Sequence, residues 1–192
     1  VYRSGLYNPT YWPENGYTDV GADTEKIMGF AKQYSTLVCI KRHSIYVIGY
    51  DSSNLVFTTK PINEQTGTNA CKSIQVIDNC PVWIDPVKGV VILKQSNILD
   101  ERNIEIISQK INQKLLKEKN LEKAIGFDYM NKYYIFINKK VYIYDYIRKV
   151  WYMFDNMDVN TCMAKDNIVF GTSDGCINRM KNEDEDFPYN DN

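Results

Sequence analysis

Four times along the chain, two short apolar runs face each other across a few turn-forming or charged residues. This hairpin pattern, more than any other feature, limits what the sequence can fold into. Residues 37–40 and 45–48 flank a polar connection at 41–44, and residues 82–84 and 90–92 flank a connection carrying Pro86 and Gly89. Residues 133–137 and 141–144 flank 138–140, and residues 168–170 and 176–177 flank Ser173-Asp174-Gly175, whose Asp-Gly step is the strongest turn signal of the four. A further apolar run precedes most hairpins, at 27–30, 74–77, 124–127 and 161–164, and additional strand-like runs follow at 55–57 and 150–154.

Taking Arg42, Pro86, Lys139 and Asp174 as turn centres, the intervals are 44, 53 and 35 residues, with a mean of 44. A four-stranded propeller blade occupies about 40–50 residues. The expected fold is therefore all-β, with propeller-like repeated antiparallel hairpins in one β-rich domain over residues 1–192, an incomplete propeller and part of a longer chain. A two-sheet sandwich is the structural competitor. Composition agrees with β structure: 15 tyrosines stand among many Ile and Val, and such residues suit a half-buried pleated surface.

One segment departs from the pattern. Between Glu105 and Lys123, Ile107, Ile111, Leu115 and Leu116 recur at helical spacing among Lys110, Lys114, Lys117 and Glu118, which predicts a short amphipathic helix near 105–123. The five lysines from Lys110 to Lys123 read as a solvated face rather than as a site for an anionic partner. The run Glu183-Asp184-Glu185-Asp186 lacks the alternating ligands and central Gly of a calcium-binding loop and reads as solvated surface. Residues 189–192 look like a strand whose return strand is missing.

Residues able to carry chemistry are few, and no catalytic, cofactor-binding or metal-binding set is expected. The single histidine, His43, falls at a hairpin tip with no assignable nucleophile or orienting carboxylate. The five cysteines (Cys39, Cys71, Cys80, Cys162, Cys176) show no CxxC spacing and read as reduced, small apolar residues. Gly67-Thr68 and Gly171-Thr172 lack the preceding glycine and the lysine of a phosphate-binding loop. Trp12, Trp83, Trp151 and Tyr152 are of the kind that lines a sugar site, but at strand spacing such residues more often fill a core. Carboxylate pairs for glycoside hydrolysis stay open, because 24 Asp and Glu residues always allow some pair after folding. A formal net charge of −1 provides no broad field for phosphate neutralisation. No stretch reaches the roughly 18–20 apolar residues that cross a bilayer.

The order of several segments resembles that of a family of bacteriophage and prophage tail structural proteins. Asn8-Pro9-Thr10-Tyr11-Trp12-Pro13-Glu14-Asn15-Gly16-Tyr17, followed by Val20-Gly21, Asp23, Ile27 and Gly29, is similar to the opening of those proteins. The likeness continues through residues 37–48, Cys71-Lys72-Ser73-Ile74 and Ile106-Ile107-Ser108-Gln109-Lys110-Ile111. It ends with Tyr133-Tyr134, Val141-Tyr142-Ile143-Tyr144-Asp145-Tyr146 leading to Trp151, and Phe170-Gly171-Thr172-Ser173-Asp174-Gly175.

The resemblance implies a virion component of the tail tube, nozzle or hub, present in host cytoplasm during assembly. Its partners would be other tail proteins and copies of itself in a ring around the channel, in passive contact with exiting DNA, with no enzymatic turnover and no cofactor. The reading from a different class is a carbohydrate-binding or glycoside-cleaving propeller module that contacts the host surface; a peptide-binding scaffold propeller is less favoured, since no WD-type dipeptide recurs.

Overall fold

The computed structural model describes residues 1–180 other than 6, 55, 96–101 and 165–166. The chain separates into two compact units, Val1–Lys123 and Ala124–Asn192. Every sheet among the described residues is an antiparallel meander in which sequence neighbours are spatial neighbours, and none closes into a barrel. The all-β expectation holds.

The first unit contains two such sheets. One runs in order β1 (Ile27–Gln33), β2 (Thr36–Lys41), β3 (Ile45–Asp51) and β4 (Val56–Asn63), the other β5 (Gln75–Ile77), β6 (Cys80–Asp85), β7 (Gly89–Gln95) and β8 (Arg102–Ile106). Both expected hairpins are at their centres, with Leu37 opposite Ile48 and Trp83 opposite Val91. The period of 2 in a strand sorts side chains by face. Val38, Ile40, Ile45 and Val47 join Trp83, Val91 and Leu93 in one buried cluster, while Cys39 and Ile48 on the opposite face pack with Val20, Val1 and Tyr46. Two runs buried on both faces make these strands continuously apolar, which is why they stand out in the sequence.

The second unit contains β9 (Ile125–Tyr129), β10 (Lys132–Ile137), β11 (Lys140–Asp145) and β12 (Val150–Asp155), then β13 (Thr161–Ala164), β14 (Ile168–Gly171) and β15 (Ile177–Arg179). Tyr134, Phe136, Val141 and Ile143 pack with Ile168 of the three-stranded sheet. The expected hairpins are again present, with Ile135 opposite Tyr142 and Gly171 opposite Ile177.

Turn chemistry sets these registers. Asp78-Asn79, Met130-Asn131 and Asn138-Lys139 each connect two paired strands and have positive φ at both positions, the type I′ geometry whose twist matches flanking strands. Three other strands end in an aspartate that folds back on its own turn. The Oδ1 of Asp51 accepts from the backbone of Ser53 and Asn54, that of Asp85 from Val87 and Lys88, and that of Asp145 from Ile147 and Arg148.

The expected helix over 105–123 is corrected to one turn, α1 (Asn112–Leu115), with a 3-10 turn at Leu121–Lys123. Glu105 belongs to β8, where Ile104 and Ile106 alternate with Asn103 and Glu105, so strand periodicity overrides the helical spacing that begins at Ile107. The buried Ser108 then stops any earlier helix start: its hydroxyl accepts from Val90 N at 2.7 Å and donates to Asn112 Oδ1 at 2.5 Å. Of the predicted apolar stripe only Leu115 is fully buried, while Lys110, Lys114, Lys117, Lys119 and Lys123 are exposed.

Candidate functional site

The residues with chemical potential are mostly committed to structure. His43 is exposed at the β2–β3 turn, and its backbone nitrogen donates to Glu25 Oε1. The same carboxylate accepts from Ser44 Oγ at 2.5 Å and lies 4.0 Å from the ammonium of Lys41. Lys41 is itself buried, and its Nζ donates to the carbonyl oxygens of Val20 at 2.8 Å and Ala22 at 2.7 Å. This cluster fastens the amino-terminal segment to the hairpin tip, and a buried charge so fully bonded has a structural part to play.

Gly67-Thr68 belongs to a second clamp. Gly67 N donates to Asp85 Oδ2 at 3.1 Å, its carbonyl accepts from the Trp83 indole, and Thr68 Oγ1 donates to Ile84 O at 2.6 Å. A side chain at residue 67 would meet the carbonyl oxygens of Lys41 and Arg42 at 2.4 Å, so the position requires glycine for close backbone approach. Gly171 is the end of β14, and Thr172 closes the turn that follows, its backbone nitrogen donating to Cys176 O at 3.0 Å.

The cysteines divide. Cys39 is buried, and burial pushes its thiol up to about 11; Cys162 is half-buried and is likewise pushed up to about 11 by burial. Cys80 is raised by burial first and by the Asp78 charge second. Cys71 and Cys176 are exposed, so the reading of all five as small apolar residues is corrected for these two. Among the described residues no three His, Cys, Asp or Glu side chains come together as a metal set. The acidic run at 183–186 and the residues at 189–192 lie outside the described residues.

What remains is surface. Trp83 is fully buried and Trp151 half-buried against Tyr144, with ring centroids 4.9 Å apart, but Trp12 (58% exposed) and Tyr152 (41%) depart from the core expectation. In residues 1–18 an irregular hairpin, closed by Arg3 N to Gly16 O at 2.7 Å and Gly5 N to Tyr11 O at 2.7 Å, presents Tyr2, Tyr7, Tyr11, Trp12 and Tyr17 to solvent. Tyr2 and Tyr17 pair across it, and the Arg3 guanidinium stands 5.2 Å over Phe57, whose ring is 5.0 Å from Tyr50. Nearby in the chain, Asp51 is held below the ordinary carboxylate range by the Asn54 side-chain amide and by the backbone N–H groups of Ser53 and Asn54.

A second apolar surface is a strand edge. β12 pairs with β11 along its whole length and is the outermost strand of its sheet among the described residues. Val150, Tyr152, Met153 and Phe154 are all exposed, so apolar side chains are presented on both faces of this strand.

No helix among the described residues is long and apolar enough to cross a membrane. No protein-family model matches the chain, and no curated protein matches it either.

Proposed function

We propose that the chain is a non-catalytic structural component of a bacteriophage or prophage tail, its meanders forming blades of a propeller and its exposed edges joining it to copies of itself and to other virion proteins around the DNA-exit channel. The observation that carries the assembly part is β12, an edge strand with four exposed apolar side chains, because an apolar sheet edge invites another chain. The tail assignment draws on the ordered resemblance of segments from Asn8 to Gly175, and the blade-length sheets agree with it. Light scattering across a concentration series, alone and after co-expression with neighbouring virion proteins, tests the reading. A closed oligomer, whether a two-fold pair or a ring, or a heteromeric complex is expected, and a strict monomer under every condition overturns it.

A second reading is favoured by one observation. Tyr7, Tyr11 and Trp12 expose 97%, 59% and 58% of their surface, and flat rings of this kind stack on sugars. Glycan-array binding that is lost in Trp12→Ala would move the protein to host-surface recognition.

A further inference from the structure

We infer that β12 is the site of a two-fold contact between two copies of this chain, pairing antiparallel with itself about Tyr152. Among the described residues the edge strands differ in how they are guarded. β4 carries Lys60 and Pro61, β1 carries Lys32 and an irregular register between Ile27 and Gly29, β8 carries Glu105 with Lys94 bonded to it, and β5 has three residues. Charge, proline, bulges and shortness are the devices that stop edges from pairing. From Val150 to Phe154, β12 has none of them. Its ends are sharply set by positive φ at Lys149 (+57°) and Asn156 (+64°), which leaves a six-residue edge whose register with β11 is unbroken.

The sequence of this edge is complementary to itself when reversed. Antiparallel pairing centred on Tyr152 places Val150 opposite Phe154, Trp151 opposite Met153, and Lys149 opposite Asp155, each twice by symmetry. Aromatic and β-branched residues thus meet one another across the seam, and the two flanking charges meet opposite charges at both ends. Pairing of β12 with another edge would forfeit this match. Parallel pairing in register would set Lys149 against Lys149 and Asp155 against Asp155. The product is one continuous eight-stranded sheet, β9 to β12 followed by the partner copy's strands in reverse order.

This pairing rests on the assembly reading above but names its partner and register, so the two can fail separately. Lys149→Asp and Asp155→Lys, each alone, set like charges opposite each other at both ends of the seam, and each is expected to weaken self-association by roughly ten-fold. The double variant K149D/D155K restores attraction and is expected to recover self-association to near the original level. That recovery separates a seam effect from damage to the fold, which circular dichroism of each variant checks directly. As a second measurement, Tyr152→Cys in a Cys71→Ser, Cys176→Ser background should form an intermolecular disulfide on mild oxidation, since directly opposed residues place their Cβ atoms about 4.5–5.5 Å apart. Ile147→Cys in that background, beyond the seam, should not.

Self-association that ignores both single reversals, or a Tyr152→Cys variant that crosslinks no faster than the Ile147→Cys variant, overturns the β12 contact and leaves assembly through other surfaces standing. A chain that never self-associates but joins other virion proteins also overturns it while supporting the tail role. A monomer with no partner at all overturns both.

Discussion

The indole nitrogen of Trp83 donates to the carbonyl oxygen of Gly67 at 3.0 Å, and this bond ties the β6 strand to the loop that leaves the neighbouring sheet. Trp83 is fully buried and Gly67 is pressed against the backbone of Lys41 and Arg42, so neither partner has water to fall back on.

Trp83→Phe should therefore cost about 2–4 kcal/mol, from the void left by the smaller ring and the orphaned carbonyl. Gly67→Ala should cost about 1–3 kcal/mol or more by overpacking, without removing any hydrogen-bonding group. Urea denaturation of the two variants beside the parent checks both, and a Gly67→Ala variant as stable as the parent would contradict the close approach.

Lys41→Met keeps the side-chain length but removes the ammonium, leaving the Val20 and Ala22 carbonyls without their donor and Glu25 without its neighbouring charge. A loss on the order of 3 kcal/mol is expected. The amino-terminal segment should loosen first, which hydrogen exchange at Arg3 and Thr18 would register, because their amides bond within that segment.

At Lys139 the backbone is left-handed (φ +60°), following Asn138 in the same conformation. Lys139→Gly converts this turn to Asn-Gly, the favoured type I′ pair, and should raise stability by about 0.5–1 kcal/mol. Thermal melting is sufficient to see it.

Asp128 has an oxygen, Oδ1, that is buried without a partner, and burial raises its carboxyl above the usual value of 3.8, against the hydrogen bond from Tyr146. A carboxyl raised in the folded state binds its proton more tightly there than when unfolded. Its contribution to stability is present below pH 3.8 and is lost as pH rises through the folded value. Asp128→Asn removes the charge, so it should raise stability at pH 7 and lose that advantage below pH 3.8. Denaturation midpoints at the two pH values give the comparison.

The thiols follow the same sign. Cys39 and Cys162 are pushed to about 11 from 9.0, so the stability they provide is present below pH 9.0 and declines as pH rises towards 11. In the native protein at pH 8, Cys71 and Cys176 should react first with an aromatic disulfide reagent, with Cys39 and Cys162 released only on unfolding. Peptide mapping after a short pulse would identify the labelled sites.

The strands are legible in the sequence because the information for them is local. In residues 37–48 and 133–144 apolar runs meet turn residues within a few positions, and the pairing follows the sequence in every sheet. The helix near 105–123 misleads because Ile107, Ile111 and Leu115 satisfy helical spacing while Ile104 and Ile106 satisfy strand spacing. The deciding bond, Val90 N to Ser108 Oγ, comes from 18 residues away. The clamps are hidden for the same reason: Lys41 reaches back 21 residues to Val20, and Trp83 reaches back 16 to Gly67. A usable signal does lie in Asp51, Asp85 and Asp145, each an aspartate closing an apolar strand, which forecasts the three side-chain-capped turns. Exposure of Trp12 and Tyr152 is not readable, since spacing along a strand does not say whether anything covers its face.

Surface loops are ordinarily where a protein accepts inserted residues. Here two connections of the first unit, one between β3 and β4 and one leading from β4 to the second sheet, divide on that expectation according to their bonding. The turn at 52–54 is exposed, and among the described residues its hydrogen bonds go to its own Asp51, so a peptide tag could be spliced there at little cost. The connection at 66–70, though it carries no regular strand, is mostly buried and grips both neighbouring hairpin tips, so even one added residue would uncouple the two sheets. Its length is thereby as tightly constrained as that of any strand in the core.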